Sequence, residues 1–407
     1  MWYVSTRGMA PRVDFEGALF SGYAPDGGLY MPEKLPQLDR DTLRQWSVVS
    51  YPSLVKELCS LFIGPELIPR DDLNDLIDRA FSRFRHKEVV HLSRLRNGLN
   101  VLELWHGVTY AFKDLSLCCA AQFLQYFLEK RKKHITVVVG TSGDTGSAAI
   151  ESVQGAENVD IIVLLPKGRC TKIQELQMTT VLRENVHVFG AGFIAQKMGL
   201  PIHLVVAVNS NDIIHRAVQR GDFSLSEAVK PTLASAMDIQ VPYNMERIFW
   251  LLSGSDSQVT RALMEQFERT RGVSLPKELH SKLSEAVISQ SVSDEAITQT
   301  MGRCWEENQY LLCPHSAVAV SYHYQQVDRR QPSPPRCCLA PASAAKFPEA
   351  VLAAGLTPET PAEILALEHK EARCTPMRKG DDWTQMLRGL IEDLSRQRQG
   401  RFRNAPA

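Results

Sequence analysis

The chain has 407 residues, and its 46 Lys and Arg equal its 46 Asp and Glu, so the formal net charge is zero. At roughly 150 residues per domain, the length implies two or three domains, and a hydrophobic fraction of 44% is enough for a sizeable core. Balanced charge excludes a protein steered to nucleic acid or to a membrane surface by a strong basic field. The longest apolar runs, residues 135–139, 161–165 and 204–208, fall far short of the roughly 20 residues that span a bilayer. Nine cysteines, with adjacent pairs at Cys118-Cys119 and Cys337-Cys338 and no Cys-x-x-Cys, match neither a secreted disulfide framework nor a zinc site. The absence of His-Glu-x-x-His argues against a metal centre. No basic segment followed by an apolar core opens the chain, so a cytoplasmic protein is expected.

Residues 1–35 are rich in Gly, Pro and aromatics and predict a packed, turn-rich cap. Residues 41–85 predict helices, with Leu43, Leu54, Leu58, Leu61, Leu73, Leu76 and Phe81 as apolar positions and Pro52, Pro65 and Pro69 as breaks. Residues 111–133 predict a longer helix whose basic end, Lys130 to Lys133, suits the negative end of a helix dipole. An alternation follows. Strands are expected at 135–139, 160–165, 186–189 and 202–208, and helices at 147–153, 171–182 and 191–198, with a glycine-rich turn at 140–146. Continuous apolar strands alternating with helices imply an α/β fold with parallel strands covered on both faces. Beyond this, Val259, Leu263, Met264 and Phe267 form a helical stripe with Gly272 as its stop. Residues 329–336 predict an exposed linker, 346–354 a helix with Pro348 in its first turn, and 395–407 a disordered Arg- and Gln-rich tail. The expected divisions are a cap and helical region at 1–100, an α/β core at 101–345, a C-terminal helical region at 346–394 and the tail.

Two segments carry chemistry. The first is strand, then Thr141-Ser142-Gly143-Asp144-Thr145-Gly146, then helix. Glycines let an anion approach the amides, and the helix start aims free N–H groups and partial positive charge at it. The loop therefore suits a phosphate or a carboxylate, although an ordinary capped turn has the same look. It lacks the lysine of a P-loop and the spacing of a dinucleotide fingerprint, which disfavours a nucleotide-binding protein. The second segment is Lys113 at a helix start, beside Phe112, Tyr110 and Trp105. An apolar setting and a helix N-terminus both disfavour an ammonium, which makes the free amine usable as nucleophile or base. Most lysines are simply solvated.

Several long blocks resemble the pyridoxal-phosphate-dependent threonine synthase family. They are YVSTRG at 3–8, YAPDGGLYMP at 23–32, ELWHGVTYAFKD at 103–114, GTSGDTGSA at 140–148, PKGRCTKIQELQMTT at 166–180 and ASAMDIQVPYNMER at 234–247. The resemblance implies the tryptophan-synthase-β-like fold type II, with parallel sheets flanked by helices. It implies that Lys113 holds pyridoxal 5'-phosphate and then takes the substrate's Cα proton. Asp144 and Ser343 are implied near the cofactor. Ser142, Gly143 and Thr145 are implied at the substrate carboxylate, and Lys167, Arg169 and Arg247 as counter-charges for a leaving phosphate. The implied partner is a small phosphorylated amino acid, with neither nucleic acid nor membrane, and monomers or dimers are usual in the family.

Three departures from the family pattern stand out. At Phe189-Gly190-Ala191 the chain runs directly into a helix where the family has a strand and a loop cradling the cofactor phosphate, so a splice-type deletion and an incomplete small domain are expected there. Cys313 stands where the family has Asp. Pro341 stands where it usually has Thr near the pyridine nitrogen, with Ser343 as the substitute hydroxyl. The expected activity is a phospho-lyase acting on O-phosphothreonine and related β- or γ-phosphorylated amino acids. A threonine synthase acting on O-phosphohomoserine, or an inactive variant with a binding or signalling role, are the alternatives.

Overall fold

The computed structural model describes residues 1–141, 143–165, 171–179, 189–329, 335–370, 374–378 and 380–403. The cap opens with strand Tyr3–Ser5, antiparallel to Tyr30–Pro32. Helices Tyr51–Phe62 and Arg70–Phe81 follow. Pro52 does not break the first of these but lies in its first turn, where a missing N–H has no intrahelical partner to lose. Leu73, Leu76, Ile77 and Phe81 pack against Phe123 and Phe127 of the long helix Lys113–Arg131, forming one core.

One parallel pair joins two strands expected from the apolar runs, whereas Val287–Ser291, Leu99–Glu103 and Arg336–Ala340 are strands not predicted from the sequence. Ile135–Gly140 pairs with Val159–Leu164, Leu204–Val208 with Val287–Ser291, and Leu99–Glu103 with Arg336–Ala340. His91–Arg94 adds an antiparallel edge to the last pair. The strands do not all reach cover on both faces. Val138 is 42% exposed and Val205 38%, although runs this apolar normally lie buried on both sides. The strand Leu99–Glu103 runs through the division expected at 100/101, and the turn Ala344–Lys346 through that at 345/346.

Other boundaries differ for local reasons. The helix after the glycine-rich turn starts at Asp144, not Ser147, because strand Ile135–Gly140 keeps Gly140 and the turn is short. Arg271 rather than Gly272 takes the left-handed position ending helix Ser257–Thr270, and Gly272 opens a strand. The helix expected from Lys346 begins at Pro348, and Lys346 closes a 3-10 turn. Phe189, expected in a strand, opens helix Phe189–Lys197; residues 186–188 lie outside the described residues, as do 330–334 of the expected linker. Far from being disordered, 395–403 complete the helix Trp383–Arg403. Arg and Gln, which make up most of this segment, are good helix formers, and that propensity outweighs the polar composition. Residues 404–407 are not described. Among the described residues no helix is long and apolar enough to cross a membrane.

One buried ion pair fastens the cap to the rest of the chain. Arg7 donates from Nε to Glu246 Oε1 at 3.1 Å and from Nη2 to Oε2 at 3.2 Å, and Thr6 Oγ1 donates to Oε1 at 2.6 Å. Nη2 also reaches Glu268 at 2.6 Å, whose carboxylate is 54% exposed. Removing one partner strands the other charge in the interior. Arg7→Ala is therefore expected to lower the unfolding free energy by about 3 kcal/mol in urea titrations, whereas Glu268→Ala should lower it by less than about 1 kcal/mol.

Candidate functional site

The segment before Lys113 is folded back on itself by Asp114. Its carboxylate accepts the Thr109 N–H and the Thr109 hydroxyl, both at 2.8 Å. Gly107 permits this approach, since a Cβ there would collide with that carboxylate. Three backbone links then lace the segment to the chain after strand Arg336–Ala340. Phe112 N–H donates to Pro341 O at 2.7 Å, Ser343 N–H donates to Tyr110 O at 3.1 Å, and Ala111 forms an antiparallel bridge to Ala342. Lys113 is thereby presented half-buried at a helix start, its Nζ 5.7 Å from the Phe112 ring centre. Of the other aromatics expected around it, Trp105 packs on His106 and Tyr110 takes a left-handed turn position.

The glycine-rich turn is held by Thr141, whose hydroxyl accepts the Gly143 N–H at 2.9 Å. Asp144 opens the helix Asp144–Val153 and is buried. Its Oδ1 receives Lys346 Nζ at 2.8 Å and Gln174 Nε2 at 2.7 Å. Burial pushes the Asp144 carboxyl up, but the charges of Lys346 and Lys113 outweigh it and hold the group below its usual range. Burial also dominates Asp114, and against the Thr109 bonds and Lys346 it raises that carboxyl to about 6. The Thr145 hydroxyl beside Asp144 is buried without a protein partner.

His315 completes the cluster. Its Nε2 accepts the Ala236 N–H at 3.1 Å, which leaves the neutral ring's proton on Nδ1. That Nδ1 is buried with no partner. Burial, helped by the Lys113 and Lys346 charges and opposed by Asp144, lowers His315 to about 4. Sequence reasoning missed His315, Lys346, Asp114 and Gln174. Only the tertiary fold shows that the Lys of Ala344-Ala345-Lys346 turns inward, since charged residues at turns normally face water.

The remaining expected residues divide. Ser343 sits near the Lys113 segment. Its Oγ accepts the Ala345 N–H at 3.3 Å, and it lines a cavity of about 190 Å³ with Glu103, Trp105, Tyr310 and Cys313. Cys313 takes the N-cap position of helix Pro314–Asp328 and accepts the Ser316 N–H through sulfur at 3.4 Å, a task an aspartate commonly performs. Arg247 is placed elsewhere, donating to Asn244 Oδ1 at 2.6 Å and to Tyr30 O at 3.4 Å on the cap side. Among the described contacts none joins it to the Lys113 cluster. Ser142, Lys167 and Arg169 lie outside the described residues. Among the described residues no group of three or more His, Cys, Asp or Glu is placed to hold a metal.

The depressed His315 pKa has a consequence of definite sign. A base whose folded pKa is depressed stabilises the fold above its unfolded pKa and loses that contribution as pH falls through the folded value. Between pH 6.5 and about 4, wild-type stability should fall relative to His315→Asn by about 3 kcal/mol, read as a narrowing difference in urea unfolding free energies.

Comparison with known proteins gives a consistent family. Models described as Threonine synthase N terminus and Threonine synthase, C-terminal match residues 2–81 and 316–388. Threonine synthase-like 2 of Homo sapiens is 73% identical over 474 positions, covering 98% of each chain. That alignment is longer than the 407 residues present here, so the human protein carries residues with no counterpart in this chain. Threonine synthase of Schizosaccharomyces pombe is 31% identical, covering 86% of this chain and 88% of the relative. The crystal structure of yeast threonine synthase superposes with a TM-score of 0.87 at 31% identity, covering 96% of this chain and 98% of that one. A PLP-bound threonine synthase from Brucella melitensis gives 0.85, also at 31% identity, covering 93% and 96%. With these relatives and the fold type II architecture they share, the chain belongs to the threonine synthase family.

Proposed function

We propose that the chain is a pyridoxal-phosphate-dependent phospho-lyase. It would eliminate phosphate from O-phosphothreonine and related β- or γ-phosphorylated amino acids, giving a 2-oxo acid, ammonia and phosphate. The observation that carries this reading is the half-buried Lys113 amine at a helix start, in one cluster with the Asp144 helix N-terminus. The residues present fit the cofactor and its substrate. Besides the amine there are buried polar atoms awaiting partners, Thr145 Oγ1 and His315 Nδ1. The Brucella relative, at 31% identity, is a PLP-bound threonine synthase.

In this reading Lys113 holds the cofactor, with Asp144 and Ser343 toward it. The Ser343 hydroxyl, which accepts from Ala345, keeps its proton to donate to a ring nitrogen. Ser142, Gly143 and Thr145 receive the substrate carboxylate through amides and hydroxyls at the helix start. Lys167 and Arg169 are the proposed counter-charges for the leaving phosphate. When bound, the cofactor supplies the electron sink that makes a Cα proton removable. Lys113 takes that proton. Burial of Asp144, Asp114 and His315 keeps bulk water from competing with the transfer.

Two other readings have specific support. The yeast and S. pombe relatives are named threonine synthases, which favours threonine formation from O-phosphohomoserine within the same enzyme class. The human alignment exceeds this chain in length. We place the missing residues at Phe189-Gly190, where they would remove the cradle for the cofactor phosphate, and this favours a folded chain that no longer keeps its cofactor.

The test is to purify the chain with pyridoxal phosphate, gel-filter it, and record the visible spectrum before and after borohydride. A yellow band that bleaches, with the label mapped to Lys113 by peptide mass spectrometry, supports retention. Phosphate and 2-oxo acid from O-phosphothreonine then support the lyase, and threonine from O-phosphohomoserine supports the synthase. A folded, colourless protein supports the third reading. In an active chain, Lys113→Ala should lose the label and lower phosphate release by about a thousandfold.

A further inference from the structure

Lys346 is 0% exposed, which is rare for a lysine outside a functional or paired setting. Its ammonium has two assigned acceptors on different parts of the chain. One is Thr109 O at 2.7 Å, four residues before Lys113. The other is Asp144 Oδ1 at 2.8 Å, at the start of the helix after the glycine-rich turn. Thr109 is itself bonded to Asp114, the residue after Lys113, through both its N–H and its hydroxyl. Lys346 thus holds a closed loop containing Lys113 against the Asp144 helix start. The anchor is firm, because Lys346 N–H donates to Ser343 O at 3.2 Å and its carbonyl accepts the Thr171 hydroxyl at 3.0 Å.

We propose that Lys346 is a positioning residue for Lys113: it pins the Lys113 loop to the Asp144 helix start and balances the Asp144 carboxylate, so that the Lys113 amine gives up its proton more readily. The role rests on the reading of Lys113 as the reacting amine. The charges that face one another here come from four elements. Asp144 is acted on by the charges of Lys346 and Lys113, Asp114 by those of Lys346 and Glu151, and neutral His315 by those of Asp144, Lys113 and Lys346. Without the Lys346 cation, the Lys113 charge would still act on Asp144. A carboxylate beside an ammonium favours the protonated amine, and a protonated amine is neither nucleophile nor base. Removal of the Asp144 carboxylate would act in the opposite sense, leaving the buried Lys346 cation and the half-buried Lys113 without the carboxylate that offsets them.

Acylation of Lys113 by acetic anhydride, followed by peptide mass spectrometry from neutral to alkaline pH, reads this without any cofactor. Lys346→Met should move the midpoint of labelling to higher pH. Labelling at a fixed, mildly alkaline pH should then slow by about tenfold for every pH unit that the midpoint rises. Asp144→Asn should move the midpoint to lower pH and speed labelling. Lys346→Arg should restore most of the wild-type midpoint, because the charge is kept. Lys346→Gln, which keeps a donor but no charge, serves in place of Lys346→Met if that variant does not fold, and should move the midpoint in the same direction. A folded Lys346→Met or Lys346→Gln chain with the wild-type midpoint would overturn the proposal, as would an Asp144→Asn chain whose midpoint does not fall. Failure of the wild-type chain to form a borohydride-stable label would instead overturn the cofactor reading alone, since acylation does not depend on it.

Discussion

A single buried ammonium organises the centre of this chain. Lys346 reaches Thr109 and Asp144 at once, so it joins the segment before Lys113 to the start of the helix Asp144–Val153. A charge so deep is tolerated only when it is paired and hydrogen-bonded. Gln174 shares the Asp144 oxygen, and Asp114, raised by burial, takes both donors of Thr109. Lys346, Asp144, Gln174, Thr109 and Asp114 form a hydrogen-bonded network in which loss of one leaves a neighbour stranded.

The scaffold around this cluster explains why it is placed so tightly. Phe112 and Ser343 are tied by backbone bonds to partners across the turn at the end of strand Arg336–Ala340. That strand lies parallel to Leu99–Glu103, which leads into the Lys113 segment. Two sequence-distant pieces are therefore brought together by one ladder, and the site inherits its precision from main-chain hydrogen bonds. Pro341 fits this arrangement without a side-chain role, because its carbonyl is what Phe112 needs. Cys313 likewise keeps the capping duty of its position while changing the chemistry available in the neighbouring cavity.

A second ion pair, Arg7 with Glu246, does for the cap what Lys346 does for the site. It accounts for two of the blocks that carry the family resemblance, YVSTRG and the segment ending in Asn244-Met245-Glu246-Arg247. In the sequence both blocks stand out as signatures, and Arg247 is the residue that suggests a phosphate contact. The geometry gives Glu246 the clear structural task and directs Arg247 to Asn244 and Tyr30. In the central strands, Val138 and Val205 remain exposed despite their apolar runs.

The sequence by itself determined the α/β alternation, the central strands 135–140, 159–164 and 204–208, and the family, because apolar runs of strand length and long motif blocks are local patterns. It also singled out Lys113 and the Asp144 turn, since a helix start and a glycine-rich loop are recognisable from neighbouring residues. Polar composition misled at 395–403, where good helix formers prevailed. Only the tertiary structure decided that Lys346, His315 and Gln174 join the cluster, and that Arg247 contacts the cap. Those assignments depend on which side chains lose water and which charges come within reach across 30 to more than 200 positions of chain. Burial and long-range pairing of that kind leave no period or spacing in a sequence.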